Sequence, residues 1–273
     1  PIQTQQLMDS GATCIAYETV TSNEGSLPLL APMSVVAGRL SIQAGAHHLE
    51  KHQGGNGILL GGVPGVRPAK VLVLGGGVVG ESAIRIAIGM GADVTVLDNS
   101  VIRLSELDKE YRGQLRTIFS TEESIEQCVV EADLIIGAVL IPGASAPKLI
   151  TGEMLSLMKD GSVIVDVAID QGGCFETSRA TTHAEPTFTL DGVTHYCVTN
   201  MPGAVAKTST LALVNATLPY ITKLADGDIK TILGQDQNLS AGLNVYKGQI
   251  THSAVASALN YPYTPSIDAF KKN

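Results

Sequence analysis

Hydrophobic positions along this chain keep two rhythms that take turns. Short runs dominated by apolar residues recur within 70–74, 93–98, 116–119, 132–137 and 162–168. Between them, at 78–90, 101–114, 124–131 and 150–157, apolar residues return at helical spacing. A short run with no polar alternate predicts a strand buried on both faces. Strands alternating with helices predict a parallel sheet covered on each side. Ahead of this region the pattern predicts a helix, a strand over 13–19, a polar loop through Asn23-Glu24-Gly25, and a long helix over 34–53 with Ser34 as its hydroxyl cap. Glycine-rich loops at 54–57 and 61–65 follow that helix, and beyond Met201-Pro202-Gly203 helices are expected over 208–224 and 240–258.

Composition narrows the class. The 273 residues are 44% apolar and 16% charged, which is enough for a buried core and unlike a disordered chain. A net charge of −8 argues against binding nucleic acid or an anionic membrane surface. No apolar run reaches membrane-spanning length. Cys14, Cys128, Cys174 and Cys197 are scattered, with neither zinc-ligand spacing nor a disulfide pattern, so reduced thiols and a cytoplasmic location are expected. His47, His48 and His52 lie close in sequence without a supporting acid or cysteine cluster, so no metal is expected.

The chemistry-bearing motif is Gly75-Gly76-Gly77-Val78-Val79-Gly80, a G-x-G-x-x-G run that leaves one predicted strand, opens a helix and precedes Asp98 at the end of the next strand by 18 residues. Alone, the pattern is weak; in this context it is a dinucleotide-binding fingerprint. Gly75 serves the tight turn, Gly77 the close approach of backbone to pyrophosphate, and Gly80 the packing of helix on sheet. Asp98 can accept hydrogen bonds from the adenosine ribose, and its charge would repel a 2′-phosphate, so NAD is the expected cofactor. Arg103 keeps a 2′-phosphate open at this point. The alternative is a glycine-rich turn in an unrelated α/β protein.

Longer segments then carry a family resemblance. They are Val165-Asp166-Val167-Ala168-Ile169-Asp170-Gln171-Gly172-Gly173-Cys174 running on to Arg179, and His195-Tyr196-Cys197-Val198-Thr199-Asn200-Met201-Pro202-Gly203. With Ala138-Val139-Leu140-Ile141-Pro142-Gly143, Ala146-Pro147-Lys148-Leu149 and Ala31-Pro32-Met33-Ser34, they resemble the alanine dehydrogenase family over the whole chain. Ala180 and Ala206-Lys207 depart from the family pattern at positions away from the expected chemistry. The resemblance implies a Rossmann-type doubly wound parallel sheet inserted into a second, partly missing α/β catalytic domain. NAD-binding residues would span 29–206, and 1–28 with 207–273 would belong to the catalytic domain. It also implies an upstream segment with an arginine, a lysine and an acid–base histidine that these residues do not include, so these residues alone are expected to bind NADH without turning over alanine.

The implied reaction is NAD-dependent oxidative deamination of L-alanine to pyruvate and ammonium in a homohexamer. Alternatives are the NAD(H)-binding component of a nicotinamide nucleotide transhydrogenase and a non-catalytic NAD-binding fragment. Asp170 is the implied catalytic residue, just past a strand's carboxyl end, where ligands bind in open α/β sheets; a turn or cap aspartate is the plainer reading. By the same resemblance Ser34 reaches the nicotinamide side, and Val78 and Val79 line the pyrophosphate turn. Asp98 and Arg103 bracket the ribose, Ser120 lies near the adenine, and Val139 and Leu140 pass beneath the dinucleotide. Val167, Ala168, Ile169 and Asp170 edge the nicotinamide, and Val198, Thr199, Asn200 and Met201 close over it. Arg179 is carried over as a further contact. His183 and His195 are expected near the cleft without being the family's catalytic histidine.

Overall fold

A computed structural model describes residues 2–139 and 146–272. In chain order its elements are α1 (Ile2–Asp9), β1 (Thr13–Ile15), α2 (Ala31–His48), β2 (Lys70–Leu74), α3 (Val78–Gly89), β3 (Asp93–Asp98), α4 (Val101–Tyr111), β4 (Leu115–Phe119), α5 (Glu122–Glu131) and β5 (Leu134–Gly137). Then come α6 (Gly152–Leu155), β6 (Val163–Asp166), β7 (Thr187–Leu190), β8 (Val193–Tyr196), α7 (Ala206–Ala225), α8 (Ile229–Gln235), α9 (Gln237–Ser240), β9 (Leu243–Tyr246), β10 (Gln249–Ile250), α10 (Ser253–Leu259) and α11 (Ser266–Lys272). The chain divides into two compact units, Ser34–Ala206 and the pair Pro1–Met33 with Lys207–Asn273.

The larger unit is built on a 7-stranded sheet in the order β4-β3-β2-β5-β6-β8-β7. All neighbours are parallel except the edge pair β7–β8. Side chains alternate across the sheet, and both faces are dry. Val71, Val73, Val94, Val96, Leu134, Ile136, Val163 and Val165 pack on one face with residues of α2, α3 and α4. Leu72, Leu74, Leu97, Ile135 and Ile164 pack on the other with Ile125, Val129, Met154 and Leu155. Unbroken apolar strands are what two buried faces require. From β2 the chain winds outward through β3 and β4, then returns to lay β5 on β2's other side. That reversal opens a crevice at the carboxyl ends of β2 and β5.

The smaller unit carries the antiparallel sheet β1-β9-β10, with Thr13 opposite Tyr246 and Cys14 opposite Val245. Its core gathers Val20, Leu29, Leu233, Leu239, Leu243, Tyr246 and Phe270. No helix among the described residues is long and apolar enough to cross a membrane.

Several expected elements are corrected. α2 begins at Ala31, so Ser34 lies inside its first turns rather than capping it, and it ends at His48, followed by a separate 3-10 turn Lys51–Gln53. The helix expected over 150–157 shrinks to Gly152–Leu155, because Ile150 pairs in extended form with Phe175. The strand expected over 13–19 stops at Ile15, and Tyr17–Thr19 turns into a 3-10 helix. The helix expected over 240–258 is the hairpin β9–β10 followed by α10; Lys247 and Gly248, at φ +45° and +81°, form the tight turn that breaks it.

Candidate functional site

At the end of β2 the chain turns at Gly75, whose φ is +94° and whose N–H bonds the Leu97 carbonyl at 2.8 Å. A Cβ on Gly80 would sit 1.8 Å from the Gly75 carbonyl oxygen, so only glycine lets α3 start this close to the strand. Gly77 is the N-cap of α3, with no side-chain cap, and a Cβ there would meet nothing within 4 Å. α3 thus starts, at the positive end of its dipole, from a glycine with room beside it and no side-chain cap. That arrangement suits the pyrophosphate of a dinucleotide. Val78, 48% exposed, stands on the opening, and Val79 is buried behind it.

Asp98 closes β3 beside this turn, its carboxylate accepting the Gly76 N–H at 2.7 Å and the Ser100 N–H at 2.8 Å. Ser120 follows β4 and donates its N–H to the Asp98 carbonyl at 2.9 Å, which sets it alongside on the same edge. Arg103 is engaged on three sides. Its Nε donates to the Gly76 carbonyl at 2.6 Å, one terminal nitrogen pairs with Glu106 at 2.9 Å, and the other with Glu81. The guanidinium thus ties the glycine turn to α4, and two carboxylates already neutralise it.

Across the crevice, Val139 follows β5, and a Cβ on Gly75 would lie 2.9 Å from its Cγ2. Leu140 and the Ile141-Pro142-Gly143 motif lie outside the described residues. On the near side α2 crosses α3 closely enough that a Cβ on Gly38 would fall 2.2 Å from the Val79 carbonyl. Ser34, four residues earlier, shares that face of the helix. Gly38 was not anticipated; the available signal was a pair of glycines, Gly38 and Gly45, seven residues apart in an apolar helix.

β6 ends at Asp166, and Val167 donates its N–H to the Gly137 carbonyl at 3.0 Å. Ala168 and Ile169 are each 8% exposed, and the 3-10 turn Ile169–Gln171 then lifts Asp170 into solvent. Asp170 Oδ2 accepts the Asn200 N–H at 3.4 Å. Asn200 holds a left-handed conformation, φ 52°, at the start of the turn Met201–Val205. Val198 and Met201 are buried under this junction and Thr199 is exposed. The structure therefore brings Gly75–Gly80, Asp98, Ser120, Val139 and 167–170 to one sheet edge, and joins Asp170 to Asn200.

Arg179 stacks over Phe188 of β7 at 4.3 Å from the ring centroid. His195 is fully buried on β8, where it bonds Thr177 Oγ1 at 2.9 Å and the Val193 carbonyl at 3.0 Å. It lies under Phe188 with ring centroids 4.7 Å apart, so it does not open to the cleft as expected. His183 is exposed, its Nε2 3.1 Å from where a Gly203 Cβ would stand. Among the described residues, no three histidine, cysteine or acidic side chains assemble as a metal-ligand set.

Residues 41–253 match the family described as alanine dehydrogenase/PNT, C-terminal domain. The alanine dehydrogenase of Halomonas elongata is 66% identical over 95% of this chain and 70% of its own length. A solved L-alanine dehydrogenase superposes with a TM-score of 0.91 at 53% identity, over 94% of this chain and 71% of its own. A transhydrogenase from Sinorhizobium meliloti, 23% identical with a TM-score of 0.74 over 90% of this chain and 70% of its own, shares the fold. With the glycine turn, Asp98 and the Asp170–Asn200 junction set on that shared fold, and identity above half to the dehydrogenases, the chain belongs to the alanine dehydrogenase family.

Proposed function

We propose that this protein binds NAD(H) in the 29–206 region and takes part in the reversible oxidative deamination of L-alanine to pyruvate and ammonium. The observation that carries the reading is the glycine turn: a helix N-terminus with no side-chain cap and room at Gly77, with Asp98 hydrogen-bonded into the turn at 2.7 Å. The residues fit the cofactor. The N–H groups of Val78 and Val79 would hold the pyrophosphate, Asp98 and Ser120 the adenosine end, and Val139 with Val167–Ile169 the apolar floor. NAD is favoured over NADP because Asp98 is anionic where a 2′-phosphate would sit, and Arg103 is already neutralised by Glu81 and Glu106.

When bound, NAD supplies the acceptor for the hydride leaving the alanine Cα. Asp170 is the side chain placed to act on the other half of the reaction. Its exposed carboxylate can take a proton from the substrate ammonium, or orient the water that adds to the imine carbon. Water addition and loss of ammonia then give pyruvate and ammonium. Asn200 holds Asp170 from one side through its N–H. Residues 1–28 and 207–273 belong, on this reading, to the catalytic domain, and the assembly is a cytoplasmic homohexamer.

The test is NAD reduction followed at the nicotinamide absorbance with L-alanine as the variable substrate, in protein that also carries the upstream arginine, lysine and histidine the family resemblance implies. Reduction that requires alanine, and falls about 100-fold or more in Asp170→Asn with NADH affinity retained, supports the reading. Reduction of NADP by NADH without any amino acid would favour transhydrogenation instead.

A further inference from the structure

Asp166 has no part in the chemistry just described, yet it is a carboxylate with 0% exposure, one turn of chain before Asp170. Its side-chain oxygens accept hydrogen bonds from the loop that follows. The Cys174 N–H reaches its two oxygens at 3.2 and 3.0 Å, and the Ser178 hydroxyl reaches Oδ2 at 2.5 Å. Burial holds this carboxyl above the usual carboxylate range, and Ser178, the backbone N–H groups and the Lys148 charge offset that only in part. A buried carboxylate is costly to keep unless such donors meet it.

The outer side of the same loop is held by Lys148. Its ammonium donates to the Gly172 carbonyl and, at 3.1 Å, to the Phe175 carbonyl. The backbone beside it is zipped to the loop as well: the Ala146 N–H bonds the Gln171 carbonyl at 2.9 Å and the Leu149 N–H the Cys174 carbonyl at 2.7 Å. The segment that carries Asp170 is thus fastened from beneath by an anion that collects its N–H groups and from outside by a cation that collects its carbonyls. Gly173 fits the clamp tightly, since a Cβ there would lie 2.4 Å from Asp166 Oδ2.

We infer that Asp166 and Lys148 are positioning residues, an opposite-charge clamp that fixes the Asp170 turn in the attitude the reaction needs. The inference rests on the alanine reading for its kinetic consequence, while the clamp itself is a structural claim that can be read separately. A misplacement of about 1 Å in a reacting group costs on the order of 100-fold in rate, so a small slackening of this loop is visible in turnover.

The experiment compares Asp166→Asn, Lys148→Met and Lys148→Arg in the otherwise unchanged protein, each alone and with Asp170→Asn. Asp166→Asn keeps the shape and replaces one acceptor with a donor. We expect kcat for alanine oxidation to fall roughly 10- to 100-fold while KM for NAD moves less than about twofold. Amide exchange at Cys174 should speed up. Lys148→Met should behave alike, and Lys148→Arg should recover most of the activity. In the Asp170→Asn background neither change should lower kcat further, because both act through Asp170. An unchanged kcat, or an equal further loss without Asp170, overturns the positioning role. Should Asp166→Asn fail to fold, the exposed Lys148 pair decides alone. If the wild-type protein, with the implied upstream residues present, shows no alanine-dependent reduction, the functional reading fails, and unchanged amide exchange in the variants would be what overturns the clamp.

Discussion

At Gly80 one methyl group is enough to test the cofactor site. Its Cβ would lie 1.8 Å from the Gly75 carbonyl oxygen, so Gly80→Ala must push α3 away from the turn and move the first N–H groups of that helix. We expect NADH affinity, read by fluorescence titration, to fall at least about tenfold, or ~1.4 kcal/mol. Unchanged affinity would show that the turn does not hold the dinucleotide. The sequence made this turn legible because each glycine answers a local steric demand, and local demands repeat in spacing. It left Arg103 ambiguous: nothing in the pattern shows that Glu81 and Glu106 converge on one guanidinium from separate helices. His195 was misjudged for a related reason. Its neighbours Thr177 and Phe188 are brought to it by folding across three segments, and no spacing rule reports that.

Element boundaries followed their caps. α5 starts at Glu122, ahead of the expected start at 124, because Thr121 and Ser124 form a reciprocal capping box, with side-chain bonds of 3.1 and 2.9 Å to each other's N–H. Thr121→Ala should cost about 1 kcal/mol in denaturant unfolding and leave NADH binding unchanged. A loss of binding would mean that α5 supports the site and not only the sheet. Parallel strands were legible because burial on both faces leaves a continuous apolar run. The edge hairpin β7–β8 was not read, since its residues Thr187, Thr189 and Thr194 break the run. Its true signal is Asp191-Gly192, at φ +49° and +75°, a dipeptide that turns a hairpin. The same kind of turn at Lys247-Gly248 undid the expected helix over 240–258. Tight turns carry little hydrophobic pattern, so a reading built on periodicity passes over them.

For the molecule as a whole, two buried histidines set a direction for stability against pH. Burial holds both His48 and His195 below the usual value of 6.5, so the folded state keeps them neutral. The unfolded chain takes up those protons as pH drops through about 6.5. Their contribution is therefore complete above that value and lost as pH falls toward the lowered folded values. Urea midpoints measured between about pH 7.5 and pH 5 should decline, and His195→Gln should flatten that decline relative to the parent. An identical slope in the variant would place the pH dependence elsewhere. The doubly wound unit was legible as an architecture, whereas the pairing of Asp170 with Asn200, thirty residues apart, emerged only from the folded sheet edge. That edge is where the account places direct hydride transfer from substrate to nicotinamide. The most direct measurement uses L-alanine carrying deuterium at Cα, with the NADH product examined by mass spectrometry. The account predicts that the deuterium appears in the reduced nicotinamide, one label per pyruvate formed; deuterium released to solvent, with unlabelled NADH, would contradict it.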